Sequence, residues 1–312
     1  MEWYYTMKRK NKVYVLGSIN IDLVVEVDYL PKPGETLKGK QFLRNLGGKG
    51  ANQAISARRL GCDTTLIASV GNDPFGKEAL TKLNDSLINT TKIELSNSDT
   101  GMAFITRHEA ENRIILYPGA NHEMDEKRAM DALNGTKGDL LVTQFEIPYE
   151  IVYHGLKKAK SLGMTTVLNP APATKIGSEI YACVDYLIVN QTECEILSGI
   201  YPNSLEDVLV AKDYFIKKGV KKLIVTLGSK GSIYVSSDQI IEQKAFFIKP
   251  VDTTGAGDSY VGGIAYGLLN ELTMKETLEI ASACGAYATQ KEGVYEAIGN
   301  HQQIMKFMEE RK

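Results

Sequence analysis

The stretch "DLLVTQFEIPYEIVYHGLKKAKSLGMTTVLN", residues 139–169, decides the fold of this 312-residue chain. It begins and ends on short apolar runs, "DLLVTQF" (139–145) and "TTVLN" (165–169), and residues 149–162 between them read as an amphipathic helix. Short runs of aliphatic and β-branched residues suit strands buried on both faces, and a strand–helix–strand unit joins parallel neighbours. The same alternation recurs elsewhere. Strands are predicted at "KVYVLG" (12–17), "TTLIASV" (64–70), "YLIVN" (186–190) and "KLIVTLG" (222–228), and helices at 51–60 and 205–218. The expected fold is α/β, with a central, mainly parallel sheet and helices on both faces. Ligands then belong at the carboxyl ends of the strands.

Two stretches break the alternation. "IDLVVEVDYLPKPGETLKGKQFLRN" (21–45) and "TGMAFITRHEAENRIILY" (100–117) read as short strands and turns, the second with a hairpin through "EAEN". They are expected to form one small β-sheet, about 21–46 and 99–118, acting as a lid that keeps water from the site. The main domain is expected to span 13–312. Residues 1–12, "MEWYYTMKRKNK", read as an N-terminal extension, with Met7 as an alternative start.

Composition narrows the function. With 43% apolar residues the chain buries a sizeable core, and a net charge of −2 gives no general pull towards nucleic acid or an anionic membrane. Cys62, Cys183, Cys194 and Cys284 have no paired-ligand spacing, so neither a zinc site nor a disulfide framework is expected. No run is long enough to span a bilayer, and the first residues lack the apolar core of a signal peptide. A cytoplasmic location is expected, so the N-x-T triplets at Asn89, Asn134 and Asn190 carry no glycosylation message.

"GNDPFGKE" (71–78) imitates a P-loop, but Glu78 stands where a Mg²⁺-binding hydroxyl belongs and Pro74 interrupts the cradle. A turn into a helix is the better reading. No G-x-G-x-x-G follows the first strand, which argues against a dinucleotide site. "PVDTTGAGDSYVGG" (250–263) is more informative. Gly255, Ala256 and Gly257 let a ligand approach the backbone, and a helix beginning near Gly257 sets an anion site beside the Asp258 carboxylate. "LGGKGANQA" (46–54) opens another helix with a glycine pair, Lys49 and Asn52, groups suited to a hydroxylated ligand. Asn20 and Asp22 in "GSINID" (17–22) share one face of an extended segment.

"GSINID", "GGKGANQA", "NPAP" (169–172), "NQTE" (190–193), "TLGSKG" (226–231) and "DTTGAGD" (252–258) occur in an order that resembles the ribokinase-type carbohydrate kinase family, from Val13 to the C-terminus. "GGKGANQ" is similar to the ribose-handling branch. The resemblance implies transfer of the ATP γ-phosphoryl to O5 of D-ribose, with 2-deoxyribose or another furanose as competing substrates. A catalytically silent sugar- or nucleotide-binding protein is the non-enzyme alternative, and the intact "GAGD" argues against it.

The resemblance also implies roles. Asp258 matches the catalytic base, and the backbone N–H groups of Gly255, Ala256, Gly257 and Asp258 the anion hole. Asn20, Asp22, Gly48, Lys49, Asn52 and Glu146 match sugar contacts, although by pattern alone Glu146 reads as a solvated loop carboxylate. Asn190, Thr226, Gly228, Ser229, Gly231, Gly257 and Ser282 match nucleotide contacts, and Glu193 the residue that organises Mg²⁺ and phosphate through water. Asn190 and Glu193 read equally as a helix cap and its third residue. Asp252, Thr254, Ala288, Lys291, Gly293 and Ala297 fall at the family's site for a monovalent cation, usually K⁺. Here "GVYEAIG" (293–299) departs from the family pattern, because Ala297 stands where a serine hydroxyl is common. The family's lid sheets often pair, so a homodimer is expected.

Overall fold

The computed structural model describes residues 10–108 and 111–311. Residues 1–9 of the expected extension, and the first two residues of "EAEN", lie outside the described residues.

Strand β1 (Val13–Leu16) leads into β2 (Asn20–Glu26), which pairs antiparallel with β3 (Gln41–Gly47). Helix α1 (Lys49–Arg59), β4 (Thr64–Gly71), α2 (Pro74–Asp85) and β5 (Ile93–Ser96) follow. The chain then pairs β6 (Gly101–His108) with β7 (Glu111–Tyr117). Helices and strands alternate through α3 (Glu126–Ala132), β8 (Leu140–Thr143), α4 (Tyr149–Ser161), β9 (Thr165–Leu168), α5 (Ser178–Tyr181) and β10 (Tyr186–Asn190). Next come α6 (Gln191–Ser198), α7 (Leu205–Lys217), β11 (Lys222–Thr226), β12 (Ser232–Val235) and β13 (Ile240–Gln243). Helices α8 (Ala256–Leu269), α9 (Met274–Ala288) and α10 (His301–Glu309) close the fold.

The main sheet runs β13-β12-β11-β10-β9-β8-β1-β4-β5. Only the β11–β12 and β12–β13 pairings are antiparallel. Its central strands are buried along their length, as their unbroken apolar runs require. Leu16, Leu66, Leu141 and Leu168 are fully buried, and each contributes roughly 1.5–3 kcal/mol relative to exposure. The expected turn before α2 is also present. Asp73 caps that helix by accepting from Gly76 N at 2.7 Å.

The two irregular stretches form one four-stranded sheet of order β3-β2-β6-β7. Strand order in the main sheet reverses at β1, which has β4 on one side and β8 on the other. A reversal of this kind opens a crevice at the carboxyl ends of the strands. The small sheet leaves the main domain directly from that end of β1. No helix among the described residues is long and apolar enough to cross a membrane.

Candidate active site

At the reversal, Ser18 after β1 donates its hydroxyl to Glu146 Oε2 after β8, at 2.6 Å. The same Glu146 oxygen accepts from Lys49 N at 3.0 Å, so this carboxylate satisfies a free N–H at the start of α1. Asn20 Nδ2 approaches it at 3.4 Å, and Asn121 Nδ2 holds Asn20 Oδ1 at 2.7 Å. Glu146 is therefore anchored rather than free in a solvated loop. It also explains why α1 begins at Lys49, two residues before the expected start. Gly48 precedes it at φ 91°, where a side chain would be strained and a Cβ would meet Asn20 N at 2.7 Å.

Asp258 lies on the first turn of α8, buried. Its Oδ2 accepts from Asn52 Nδ2 and its Oδ1 from Gln53 Nε2, each at 3.0 Å. Gln53 Nε2 also reaches Asn169 Oδ1 at 3.1 Å, while Gln53 Oε1 accepts from Gln144 Nε2 at 2.5 Å. Helix α8 packs close to its neighbours because Gly262 faces Ser56 of α1 and Gly263 faces Ala281 of α9. That approach brings Asp258 to the amides of α1.

Gly255 caps α8 in the left-handed conformation at φ 75°, and no side chain caps the helix. By contrast, α2, α3, α6, α7, α9 and α10 are each capped by their own N-cap side chain. Ala256 N donates to Thr253 O at 3.3 Å, while the other N–H groups at the start of α8 remain open beside a carboxylate, and a Cβ at Gly257 would meet open space. The arrangement suits an incoming anion.

Asp22 is buried on the same strand face as Asn20. Burial, with the Glu146 and Asp258 carboxylates nearby, pushes its carboxyl up to about 7 against the pull of Lys49. Burial disfavours the Lys49 ammonium, but Asp258, Glu146, Glu193 and Asp22 outweigh it and hold Lys49 above its usual range. Glu193 is raised by burial, opposed by the Asn190 N–H and Lys49.

Asn190 and Glu193 form a reciprocal cap at the start of α6, with Glu193 N to Asn190 Oδ1 at 2.8 Å and Asn190 N to Glu193 Oε2 at 2.9 Å. Asn190 stands beside Thr226 in the parallel register of β10 and β11. The turn carrying Gly228, Ser229 and Gly231 follows β11 directly, and Ser282 is buried on α9. No cluster of three or more His, Cys, Asp or Glu side chains among the described residues could hold a metal by itself. A surface hollow of about 440 Å³, lined by residues including Lys12, Thr65, Asn89 and Lys92, lies near the amino ends of β1 and β4, away from these groups.

Asp252 is buried, and four protein donors surround it. Oδ1 accepts from Thr254 N at 2.9 Å and Thr254 Oγ1 at 2.7 Å. Oδ2 accepts from Gly293 N at 3.3 Å and from Arg107 Nη2 of β6 at 3.0 Å. These bonds do not reach Ala288, Lys291 or Ala297, and Ala297 offers no side-chain oxygen. While Arg107 holds Asp252, that carboxylate has no acceptor position left for a monovalent cation.

Gln53, Gln144, Asn169, Ser18, Asn121 and Arg107 were not singled out as site residues by sequence. Gln53 and Asn169 stand inside quoted motifs, and Gln144 lies two residues before Glu146. Arg107 carried no signal.

An α/β crevice with a buried carboxylate at an uncapped helix start suits transfer of a group from an anionic donor. Residues 10–300 match the pfkB family of carbohydrate kinases, and the chain belongs to that family. It is 38% identical over 302 residues to a ribokinase of Haemophilus influenzae, covering 95% of this chain and 97% of the relative. It is 32% identical over 303 residues to a deoxyribokinase of Salmonella typhi, covering 95% and 98%. The structure of Arabidopsis thaliana ribokinase complexed with ribose and ATP matches with a TM-score of 0.88 at 29% identity, covering 96% of this chain and 99% of that one. The protein is a ribokinase-type sugar kinase.

Proposed function

We propose that the protein transfers the γ-phosphoryl group of ATP to O5 of D-ribose, giving D-ribose 5-phosphate and ADP. The observation that carries this reading is the buried Asp258 carboxylate, aimed by two amides at an uncapped helix start. The O5 proton passes to Asp258 as O5 bonds to phosphorus, and the bond from phosphorus to the ADP oxygen breaks in line. The N–H groups of Gly255 to Asp258 receive the charge on the transferring group.

Asn20, Asp22, Lys49, Asn52 and Glu146, with the backbone at Gly48, hold the sugar hydroxyls. Asn190, Thr226, Gly228, Ser229, Gly231, Gly257 and Ser282 hold the nucleotide. Glu193 would hold Mg²⁺ through water, and the ion, when bound, would neutralise phosphate charge. A monovalent cation at Asp252 would have to displace Arg107. The small sheet covers the sugar and excludes water, and its outer face pairs two copies into a dimer.

Ribose is preferred over 2-deoxyribose because polar groups converge where the secondary hydroxyls lie, and the ribokinase relative is the more similar of the two compared. Losing one hydroxyl strands its partners and costs about 1–3 kcal/mol, roughly 10–100-fold in kcat/KM. Steady-state kcat/KM for both sugars tests this. Equal values would exclude ribose as the preferred substrate, and a higher value for 2-deoxyribose would favour a deoxyribokinase.

A further inference from the structure

Arg107 lies on the face of β6 that also carries Ala103 and Ile105, and this face continues across β2 through Asp22, Val24 and Glu26. It is therefore on the sugar-covering side of the small sheet. Its guanidinium reaches across to Asp252, with 15% of the Arg107 side chain and 6% of the Asp252 side chain exposed. Two other ties reinforce the contact. Asn112 of β7 donates to Thr254 Oγ1 at 3.3 Å, and Glu292 lies 4.0 Å from the other Arg107 nitrogen.

Asp252 precedes Gly255, the cap of α8, by three residues. The N–H groups of Val251 and Asp252 are both held by Thr289 O beyond the end of α9. The segment bonded to Arg107 is thus the one that positions the free donors of α8. A carboxylate with two oxygens offers about four acceptor positions, and those of Asp252 are all taken, one of them by a permanent cation.

We propose that Arg107 is the resident cation of the Asp252 loop. It is a positioning residue that balances the buried carboxylate, holds the anion-receiving start of α8 in place, and frees turnover from any need for a monovalent metal ion. The proposal rests on the kinase reading of the site and deepens it. It also links two events: Arg107 reaches Asp252 only when the small sheet lies over the site, so the sheet that covers the sugar also sets the phosphate receiver.

The experiment compares wild type with Arg107→Met and Arg107→Lys. Initial rates are measured with saturating ribose, ATP and Mg²⁺, with K⁺ replacing a bulky organic cation at fixed ionic strength. Thermal unfolding midpoints of the ligand-free proteins are measured across the same exchange. Wild type should show a flat rate and a flat midpoint. Arg107→Met should lose about tenfold or more in kcat in the organic cation, as expected when an electrostatic support is removed. It should recover part of that loss with K⁺ or added guanidinium ion, and its midpoint should rise with K⁺. Arg107→Lys should remain insensitive to K⁺ and keep most of the activity, which covers the case where the methionine variant fails to fold.

A K⁺-dependent rate or midpoint in wild type overturns the proposal. So does an Arg107→Met variant with unchanged kcat, or one that neither K⁺ nor guanidinium restores. Absence of ribose phosphorylation by wild type in either cation would refute the proposed ribose kinase activity instead, and the midpoints would still decide the role of Arg107.

Discussion

Gln53 donates one N–H group to Asp258 Oδ1 at 3.0 Å while its own carbonyl is fixed by Gln144. The α8 carboxylate is therefore aimed from α1, and the aim is set in turn from the end of β8. Replacing Gln53 by Ala removes one of the two amides that orient the base. The expected result is a fall of about 10–100-fold in kcat with little change in ribose KM, because misplacing a reacting group acts on the chemical step. Steady-state kinetics beside a thermal midpoint separates this from simple unfolding. A change confined to KM would show that Gln53 contacts substrate instead.

Asp258→Asn should keep nucleotide affinity and lose about 10²–10⁴-fold in turnover, since the backbone donors survive and the proton acceptor does not. Both oxygens of Asp258 accept from amides, so an asparagine there would set one donor against another. The clash is relieved at Asn52, whose Oδ1 is buried without a partner. A half-turn of the Asn52 amide offers that oxygen to the new N–H₂. Folding should therefore change little. ATP titration calorimetry and kcat on one preparation check both halves, and near-wild-type kcat would refute Asp258 as the base.

The parallel sheet was legible in sequence because each strand and helix announces itself over a few consecutive residues. The polar groups of the crevice were legible for the same reason, as Asn20 with Asp22, and Lys49 with Asn52, sit in short local motifs. Other features depend on residues far apart in the chain. Arg107 and Asp252 are separated by 145 positions, and a lone arginine on a short strand reads as a solvated edge charge. The anchoring of Glu146 was hidden likewise, since its partners are Ser18 and the N–H of Lys49. Gln53 was adjacent to a recognised residue, yet its role depends on where α8 packs.

Asp22 gives the protein a pH dependence. Its carboxyl moves from an ordinary 3.8 to about 7 on folding, so between those values the folded chain holds a proton that the unfolded chain has released. The group's stabilising contribution is full below about 4 and is lost as pH rises through about 7. Thermal midpoints from pH 5 to 8 should fall more steeply for wild type than for Asp22→Asn. Ribose binding that favours the carboxylate form should also release protons near neutral pH. Calorimetry in buffers of different ionisation enthalpy measures that release, and a zero count would mean that Asp22 binds ribose in the protonation state it already has.

The outer face of the small sheet carries Phe42, Phe104, Ile115 and Tyr117, which are 61%, 45%, 72% and 42% exposed. Strand register places them together, since Phe104 pairs with Ile115, and Leu23 and Val25 of β2 pair with Phe104 and Phe42. A contiguous apolar sheet face of this kind marks an interaction site, and a second copy can meet it about a two-fold axis. Each apolar side chain would then be buried twice. Replacing Ile115 by Glu should weaken dimerisation by about a hundredfold or more, taking roughly 1.5–3 kcal/mol for each side chain lost from a buried surface. Sedimentation velocity over a concentration series compares the two proteins. Wild type should sediment as a dimer and Ile115→Glu as a monomer, and the covering sheet should then lose rigidity, with a higher ribose KM. A wild-type protein that stays monomeric throughout the series would rule out this interface.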